Sequence, residues 1–238
     1  MTTPLAEDWI SDLAADGALS SPVSTAERIV DILRTWLSDG RIAPGSRMSE
    51  EALSRALGVS RNTLREAFRL LVRERLLVHE LNRGVFVRRL TVDDVHSLYR
   101  LRRILEVSAL RDGLLSPPGV NRLRTAVDEG QAAAGRQDWQ AVGTANQHFH
   151  QAVAGLLEDP RINELMSQLL AELRLAFHVM HPLEDFHEPY LTDNLRVCQL
   201  VEAGDGQGAA EVLLAYLTRA EHQLADAYQA LKTDLRST

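Results

Sequence analysis

Apolar residues spaced three and four positions apart recur along most of the chain, and this spacing predicts a mainly α-helical protein. The first such stripe lies in TAERIVDILRTWLSDG, with Ser24 in a capping position and Gly40 as the stop. A second, shorter helix is predicted over SEEALSRAL, and a third from Arg61 to about Arg75. Gly58-Val59 forms a tight turn between them.

The apolar pattern changes its period after the third predicted helix. The segment LLVHELNRGVFVRR favours strands and is broken at residues 82–84, which predicts a hairpin with its tip there. Three helices followed by a hairpin make a winged helix-turn-helix, which we assign to residues 24–90.

Residues 91–238 carry helical periodicity almost throughout. Thr91 and Asp94 have the spacing of a capping box. Breaks between helices are indicated by Pro117-Pro118, Pro160 and His181-Pro182. There is no strand pattern and no Gly-rich phosphate loop. We expect an all-α bundle of about six helices.

Residues 1–23 form an acidic N-terminal extension. Leu5, Trp9 and Leu13 either form one face of a short helix or belong to a disordered or loosely packed tail.

The balance of basic and acidic residues changes near residue 90, where the predicted winged helix-turn-helix gives way to the helical segment. The whole chain has a net charge of −7, but residues 24–90 hold 13 arginines against eight acids. Residues 91–238 hold 13 basic residues against 21 acids. A basic block beside an acidic one indicates a polyanion-binding module joined to a module with another task.

Composition excludes several classes of protein. Cys198 is the only cysteine, so neither a disulfide framework nor a cysteine-based zinc site is expected. No apolar run approaches the roughly 18 residues of a membrane helix, and the N-terminus does not resemble a signal peptide. We expect a cytoplasmic protein.

The third predicted helix carries the candidate nucleic-acid contacts. Arg61 and Arg65 lie one turn apart opposite the apolar stripe, where they can bind guanine edges or phosphates in a major groove. Arg83 at the hairpin tip could reach a minor groove. Ser60 can cap the helix, and the other candidates are Asn62, Thr63, Arg69, Arg73 and Arg47. The alternative is a solvated arginine face on a structural helix.

The segment GSRMSEEALSRALGVSRNTLREAFRLLVRERLLVHELNRGVFV resembles the N-terminal domain of GntR-type bacterial transcription regulators. The match extends over about residues 24–89 without a gap. One position departs from the family pattern, because many relatives carry a DNA-contacting arginine where this chain has Glu51. We therefore expect that Glu51 does not contact DNA as that arginine does.

The helical half resembles the FCD-type effector-binding domain of the FadR-like branch of this family. LRRILE, NQHFH and VEAGD occur in the expected order and at suitable spacing. The resemblance implies a homodimer on a palindromic DNA operator. It also implies a small-molecule effector, often a carboxylate, inside the bundle.

Many relatives hold a divalent metal there through an aspartate, a histidine four residues later and two further histidines. These positions fall on Asn146, His150, Asn194 and Tyr216, so only one ligand is retained. We expect no bound metal and no other cofactor, and we expect the four side chains to form hydrogen bonds with the effector. Arg102 either binds an anionic effector or pairs internally with Glu106. His178 and His181 are alternative metal ligands or residues at the surface or core edge.

Two other functions compete with a DNA-binding regulator. An enzyme is disfavoured because the chain has no nucleophile elbow, no HExxH and no dinucleotide fingerprint. A winged helix used for protein contacts would leave Arg61 and Arg65 without a role.

Overall fold

The computed structural model describes residues 24–38, 40–180 and 183–234. The chain divides into two compact units, residues 1–89 and 90–238, one residue before the boundary placed from the sequence. The expected N-terminal helix face at Leu5, Trp9 and Leu13 lies outside the described residues.

The N-terminal unit is a winged helix-turn-helix, as predicted. Ser49 caps the second helix by accepting from Ala52 N at 3.3 Å, and Gly58 ends it with φ +64°. The third helix ends at Arg73 rather than at about Arg75, because Arg75 adopts φ +60°. The elements are α1 Thr25–Ser38, α2 Glu50–Leu57, α3 Arg61–Arg73, β1 Leu77–Glu80 and β2 Gly84–Val87.

The core of this unit forms where α1 and α3 pack together. Their apolar stripes are buried, and burial of a large aliphatic or aromatic side chain stabilises the fold by about 1.5–3 kcal/mol. Since these side chains occupy one side of α3, its polar side is left outside the core. The buried residues include Ile29, Leu33, Trp36, Leu64, Ala67, Phe68 and Leu71.

The hairpin is the wing. β1 and β2 pair antiparallel, with Leu77 opposite Val87 and Glu80 opposite Gly84, and Asn82 in the turn has φ +62°. The segment before α2 pairs with strand β2, since Met48 N donates to Val85 O at 2.8 Å. The wing is thereby tied to the start of α2.

The second unit is helical, and within its described residues six α-helices follow one another. Thr91 and Asp94 form the predicted capping box at the first. None of the described helices is both long and apolar enough for a membrane crossing. The helices are α4 Val92–Asp112, α5 Pro117–Gly135, α6 Trp139–Ala154, α7 Pro160–Ala176, α8 Leu183–Glu202 and α9 Gly206–Asp234.

Helix α8 departs from the sequence-based prediction. The segment EPYLTDNLRVCQLVEAGD predicts a helix that begins near residue 188, but the helix begins at Leu183 and contains Pro189. A proline inside a helix removes one N–H donor. Here Phe186 and His187, which precede it, are both buried, so packing of the first turns outweighs that loss.

Candidate functional site

The first turn of α3 presents polar side chains on a capped helix. Ser60 Oγ accepts from Thr63 N at 3.1 Å and lies 2.8 Å from Thr63 Oγ1. Both hydroxyls therefore take part in the cap. Arg61 and Asn62 are exposed beside it. The assignment of these residues to DNA contacts stays a prediction.

Arg65 links the two helices of the helix-turn-helix. Its Nε donates to Oε2 of Glu50 at 2.7 Å, and 54% of the Arg65 side chain remains exposed. Glu50 lies in the first turn of α2. The neighbouring Glu51 is exposed and bonds Arg55 at 3.0 Å instead. Glu50 therefore orients the arginine, whereas Glu51 contributes an acidic group to the surface of α2.

The arginine stripe winds around α3, because each step of four residues rotates a side chain by about 40°. Arg65, Arg69 and Arg73 line an open groove of about 550 Å³ whose lining includes His79 and Val85 of the hairpin. Among the described residues that line it, Glu50 is the one acidic side chain. A groove with three guanidinium groups suits a polyanion.

The side chains of two further arginines reach the hairpin tip, Arg83 from the tip itself and Arg47 from the segment before α2. Arg83 is ion-paired with Glu80 and sits over the ring of Phe86, yet 71% of its side chain is exposed. A methyl group built at Gly84 would lie 3.7 Å from Nε of Arg47, so Arg47 extends along β2 toward the same tip. The side chains of both sequence-predicted residues therefore lie beside the wing tip.

In the helical unit, the structure brings together all four side chains at the family's metal positions. Asn194 Nδ2 donates to Asn146 Oδ1 at 2.7 Å, and the Tyr216 hydroxyl oxygen lies 3.0 Å from the same Oδ1. His150 Nε2 lies 2.8 Å from that hydroxyl. Helices α6, α8 and α9 thus meet in one buried hydrogen-bond network.

An ion pair on α4 completes this network. Glu106 accepts from Arg102 Nε at 2.8 Å through one oxygen and lies 2.6 Å from His150 Nδ1 through the other. Of the two alternatives for Arg102, the structure shows the internal pair. Its Nη2 atom is nevertheless buried and has no hydrogen-bond partner among the residues that the structure describes.

The charge states in the network follow from burial and from this pairing. Burial, together with the nearby Arg102 charge, lowers the pKa of His150. Burial acts to raise the pKa of Glu106, but Arg102 and His150 outweigh it, and the pKa lies below its usual value. The Glu106 carboxylate therefore stays ionised beside Arg102 at pH 7. The Nδ1 of His150 faces Glu106 and its Nε2 faces the Tyr216 hydroxyl, which donates its single proton to Asn146 Oδ1.

A small cavity of about 10 Å³ adjoins the network. That volume holds about one water molecule. Aromatic rings line much of it, and those of Tyr190 and Tyr216 are stacked with centroids 4.5 Å apart. A larger ligand would therefore have to separate these side chains.

Comparison with known families agrees with both units. Residues 25–87 match the profile described as bacterial regulatory proteins, gntR family, and residues 97–219 match the FCD domain. The chain belongs to the GntR family of bacterial regulatory proteins. The resemblance drawn from the sequence is confirmed, and this GntR protein is a DNA-binding transcriptional regulator.

Individual relatives are similar over nearly the whole chain. A GntR regulator from Rhodococcus sp. RHA1, known from its crystal structure, is 43% identical, with a TM-score of 0.82 over 87% of this chain and 100% of that one. The HTH-type transcriptional regulator YdhC of Bacillus subtilis is 27% identical over 84% of this chain and 91% of its own length. The galactonate operon transcriptional repressor of Escherichia coli is 24% identical over 86% and 98%.

The donor set of this GntR protein does not suit a divalent metal. Two of the four positions are carboxamides, and the third is His150, whose two ring nitrogens both have partners. The fourth is Tyr216, and burial raises its pKa well above the usual value, so the phenol stays protonated. Elsewhere in the described residues, no three His, Cys, Asp or Glu side chains cluster as a metal site would require. Of the two alternative ligands, His178 belongs to no such cluster, and His181 lies outside the described residues.

Several residues of these sites were missed from the sequence. Glu106 was considered only as a partner of Arg102, although its second oxygen binds His150 44 positions along the chain. The i,i+4 spacing signalled only the first contact. Glu50 was missed at the DNA-binding surface, where its place in an acidic first helical turn was the available signal. Nothing in the sequence indicated that Tyr190 would stack on Tyr216.

Proposed function

We propose that this GntR regulator is a homodimeric repressor whose binding to a palindromic operator is controlled by a small molecule in the helical unit. It works in the cytoplasm, where a bacterial chromosome is located. It catalyses no reaction and uses hydrogen bonds, without a metal, in its effector site. The repressor role is supported by relatives that carry this name, among them the repressors of a galactonate operon and of a D-xylose utilization operon.

The observation that carries the DNA-binding part is the exposed arginine surface of α3. Arg61 is exposed at the capped end of the helix, and Arg65 is held beside it by Glu50. The apolar side of α3 fills the core of its own unit, so the arginines are not needed there. Guanidinium groups at the N-terminal end of a recognition helix suit base edges and phosphates.

The test begins with selection of a binding sequence from random duplex DNA by the full-length protein. Replacing Arg61 and Arg65 together by glutamate should abolish binding to the selected DNA. The control replaces Arg136 and Arg196, two exposed arginines of the helical unit, by glutamate. Unchanged DNA binding by the first variant would favour the protein-contact alternative for the winged helix.

The enzyme alternative is tested on the same purified protein. Absorbance and mass spectra should show no flavin, pyridoxal phosphate or nicotinamide after incubation with a panel of these cofactors. A stoichiometrically bound cofactor would favour an enzyme.

The dimer should form through the helical unit. Residues 91–238 resemble the dimerising domain of the family, and the winged helix must keep its polar face free. Leu101 and Ile104, three residues apart on α4, are exposed apolar side chains of this unit, and 59% of Ile104 is exposed. Exposed apolar groups on one helix face are typical of an interface.

Sedimentation at micromolar concentration should therefore show a dimer for the full chain and for fragment 91–238. Ile104→Glu should shift the full chain toward monomer. The control Leu165→Glu changes an exposed leucine of α7 and should leave the dimer intact. A monomeric fragment would contradict this account.

A further inference from the structure

The groove between α3 and the wing combines positive charge with an apolar floor. Arg65, Arg69 and Arg73 along it are exposed, whereas Phe68 and Val85, which also line it, are 2% and 8% exposed. Guanidinium groups attract anions, and an apolar floor adds affinity for side chains that leave water. The groove of about 550 Å³ therefore suits an acidic peptide that also carries large apolar side chains.

The positive charge of this groove is only partly compensated within its own unit. Among the described residues of the lining, Glu50 is the one acidic group, and it pairs with Arg65 at 2.7 Å. None of the ion pairs in the described part of this unit includes Arg69 or Arg73. Both guanidinium groups are therefore available to an anionic partner.

The acidic N-terminal extension, residues 1–23, has the composition that such a groove would bind. It holds Glu7, Asp8, Asp12 and Asp16 and no basic residue. It precedes residues 25–87, which match the gntR profile, so the family's winged helix does not account for it. The extension is thus an acidic segment of this chain to which neither unit has yet given a role.

The charges of the extension repeat at the same interval as those of the groove. Its three aspartates are four positions apart, and so are the three arginines of the groove. On a helix, a step of four residues advances about 6 Å, so carboxylates at this interval can meet successive guanidinium groups in register. Trp9 and Leu13 each directly follow an aspartate. An indole ring is the aromatic group that guanidinium groups bind best.

The extension is also attached close to the groove. It ends next to residue 24, directly before α1, and α1 packs against α3. A segment of 23 residues spans up to about 75 Å, whereas a folded unit of about 65 residues has a radius of gyration of only about 11 Å. Attachment gives the extension an effective concentration on the order of 1 mM at the groove. Contacts too weak to join two separate molecules therefore suffice.

We propose that residues 1–23 bind in the groove of their own winged helix-turn-helix and compete there with DNA. Aspartates of the extension pair with Arg69 and Arg73, and Trp9 packs between the guanidinium groups and the apolar floor. DNA has to displace the extension, so its apparent affinity falls in proportion to the time for which the groove is occupied. The proposal rests on the DNA-binding role that is proposed above for this surface.

The first test removes the charges of the extension from the full-length protein. This neutral-extension variant should bind the selected DNA and random DNA about threefold to tenfold more tightly than the wild type at about 0.15 M salt. Its substitutions are Glu7→Gln, Asp8→Asn, Asp12→Asn and Asp16→Asn.

The matched control also removes four negative charges, but from exposed side chains of the helical unit. It should bind both DNAs as the wild type does, which separates a contact in the groove from a general change in net charge. The control substitutions are Asp112→Asn, Asp128→Asn, Glu164→Gln and Asp226→Asn.

The second test measures the contact itself, without DNA. A fluorescein-labelled peptide of residues 1–23 is titrated into the full-length neutral-extension variant, and anisotropy should show binding that unlabelled duplex DNA reverses. Adding Arg69→Glu and Arg73→Glu should weaken this binding at least about tenfold, because two pairs become repulsive. Adding Arg136→Glu and Arg196→Glu in the helical unit should leave it unchanged. A peptide with the same residues in scrambled order should bind more weakly, since the four-residue interval is lost.

The inference is overturned if the neutral-extension variant binds DNA no more tightly than the matched control. It is equally overturned if the scrambled peptide binds as well as the native one, or if the glutamates at positions 69 and 73 do not weaken peptide binding. Absence of DNA binding by the wild type and the variant alike would remove the proposed function, whereas the peptide titration decides the contact independently of DNA.

Discussion

The segments 24–90 and 91–238 each carry 13 basic residues, but the candidate sites of the two units use arginine in opposite ways. In the winged helix, Arg61, Arg65 and Arg69 of α3 are exposed. In the helical unit, Arg102 and Arg174 are 2% and 8% exposed, and Arg102 is paired with a buried carboxylate.

This difference follows from what each unit has to bind. A polyanion is recognised at a surface, where cations stay hydrated until phosphates replace the water. An interior cation must be compensated by the fold itself, because an uncompensated buried charge is costly. The number of arginines in a segment therefore does not indicate its partner, whereas their exposure and pairing do.

The largest expected effect concerns the buried pair. Glu106→Ala leaves the Arg102 charge without its counter-ion, and breaking a buried pair in this way costs about 3–5 kcal/mol. Glu51→Ala removes the exposed pair with Arg55 and should cost less than about 1 kcal/mol. Urea unfolding of full-length variants measures both. Equal losses of unfolding free energy in the two variants would contradict the difference between the buried and the exposed ion pair.

A second effect appears in acid. Burial, followed by the nearby Arg174 charge, lowers the pKa of His187 from 6.5 to about 4. Between these pH values the unfolded chain takes up a proton at His187 that the folded chain does not. The free energy of unfolding therefore falls as pH drops through this window, by roughly 3 kcal/mol in total.

The variant His187→Gln should lose this part of the pH dependence. Stability curves between pH 4 and 7 are compared by slope, so that a constant effect of the substitution cancels. His79→Gln changes an exposed histidine of β1 and is the matched control in the other unit. Identical slopes for wild type and His187→Gln would show that the buried ring is not the cause.

The smallest expected effect distinguishes base contacts from phosphate contacts. Arg61→Ala and Arg65→Ala should each cost about 1–3 kcal/mol on the selected DNA and relax specificity at one base pair. Arg69→Ala and Arg73→Ala should weaken selected and random DNA alike and flatten the salt dependence. Titrations on both DNAs at several salt concentrations measure this. Equal losses on both DNAs for all four variants would remove the base-reading role.

The winged helix could be predicted from sequence because its signals are local. Ser49, Gly58 and Ser60 mark the ends of helices through contacts within three or four residues, and each has the expected conformation. The start of α8 could not be predicted in this way. Pro189 indicated a boundary, and the burial of Phe186 and His187, which decides the outcome, depends on distant packing.

The effector site was predictable only in part. The spacing of the family's metal ligands indicated Asn146, His150, Asn194 and Tyr216. The structure joins these residues by hydrogen bonds across separations of 48 to 70 positions in the chain. No local pattern shows that Glu106 bonds Arg102 and His150 together, or that Arg102 keeps an unused nitrogen. Those contacts arise from the way the helices pack.

The central claim is that the helical unit works with a hydrogen-bonding site in place of a metal. Elemental analysis of untagged protein after mild dialysis tests this most directly, with His150→Ala measured beside it. The account predicts far less than one equivalent of zinc, nickel or manganese per chain in both proteins. One equivalent in the wild type that is lost in His150→Ala would contradict it.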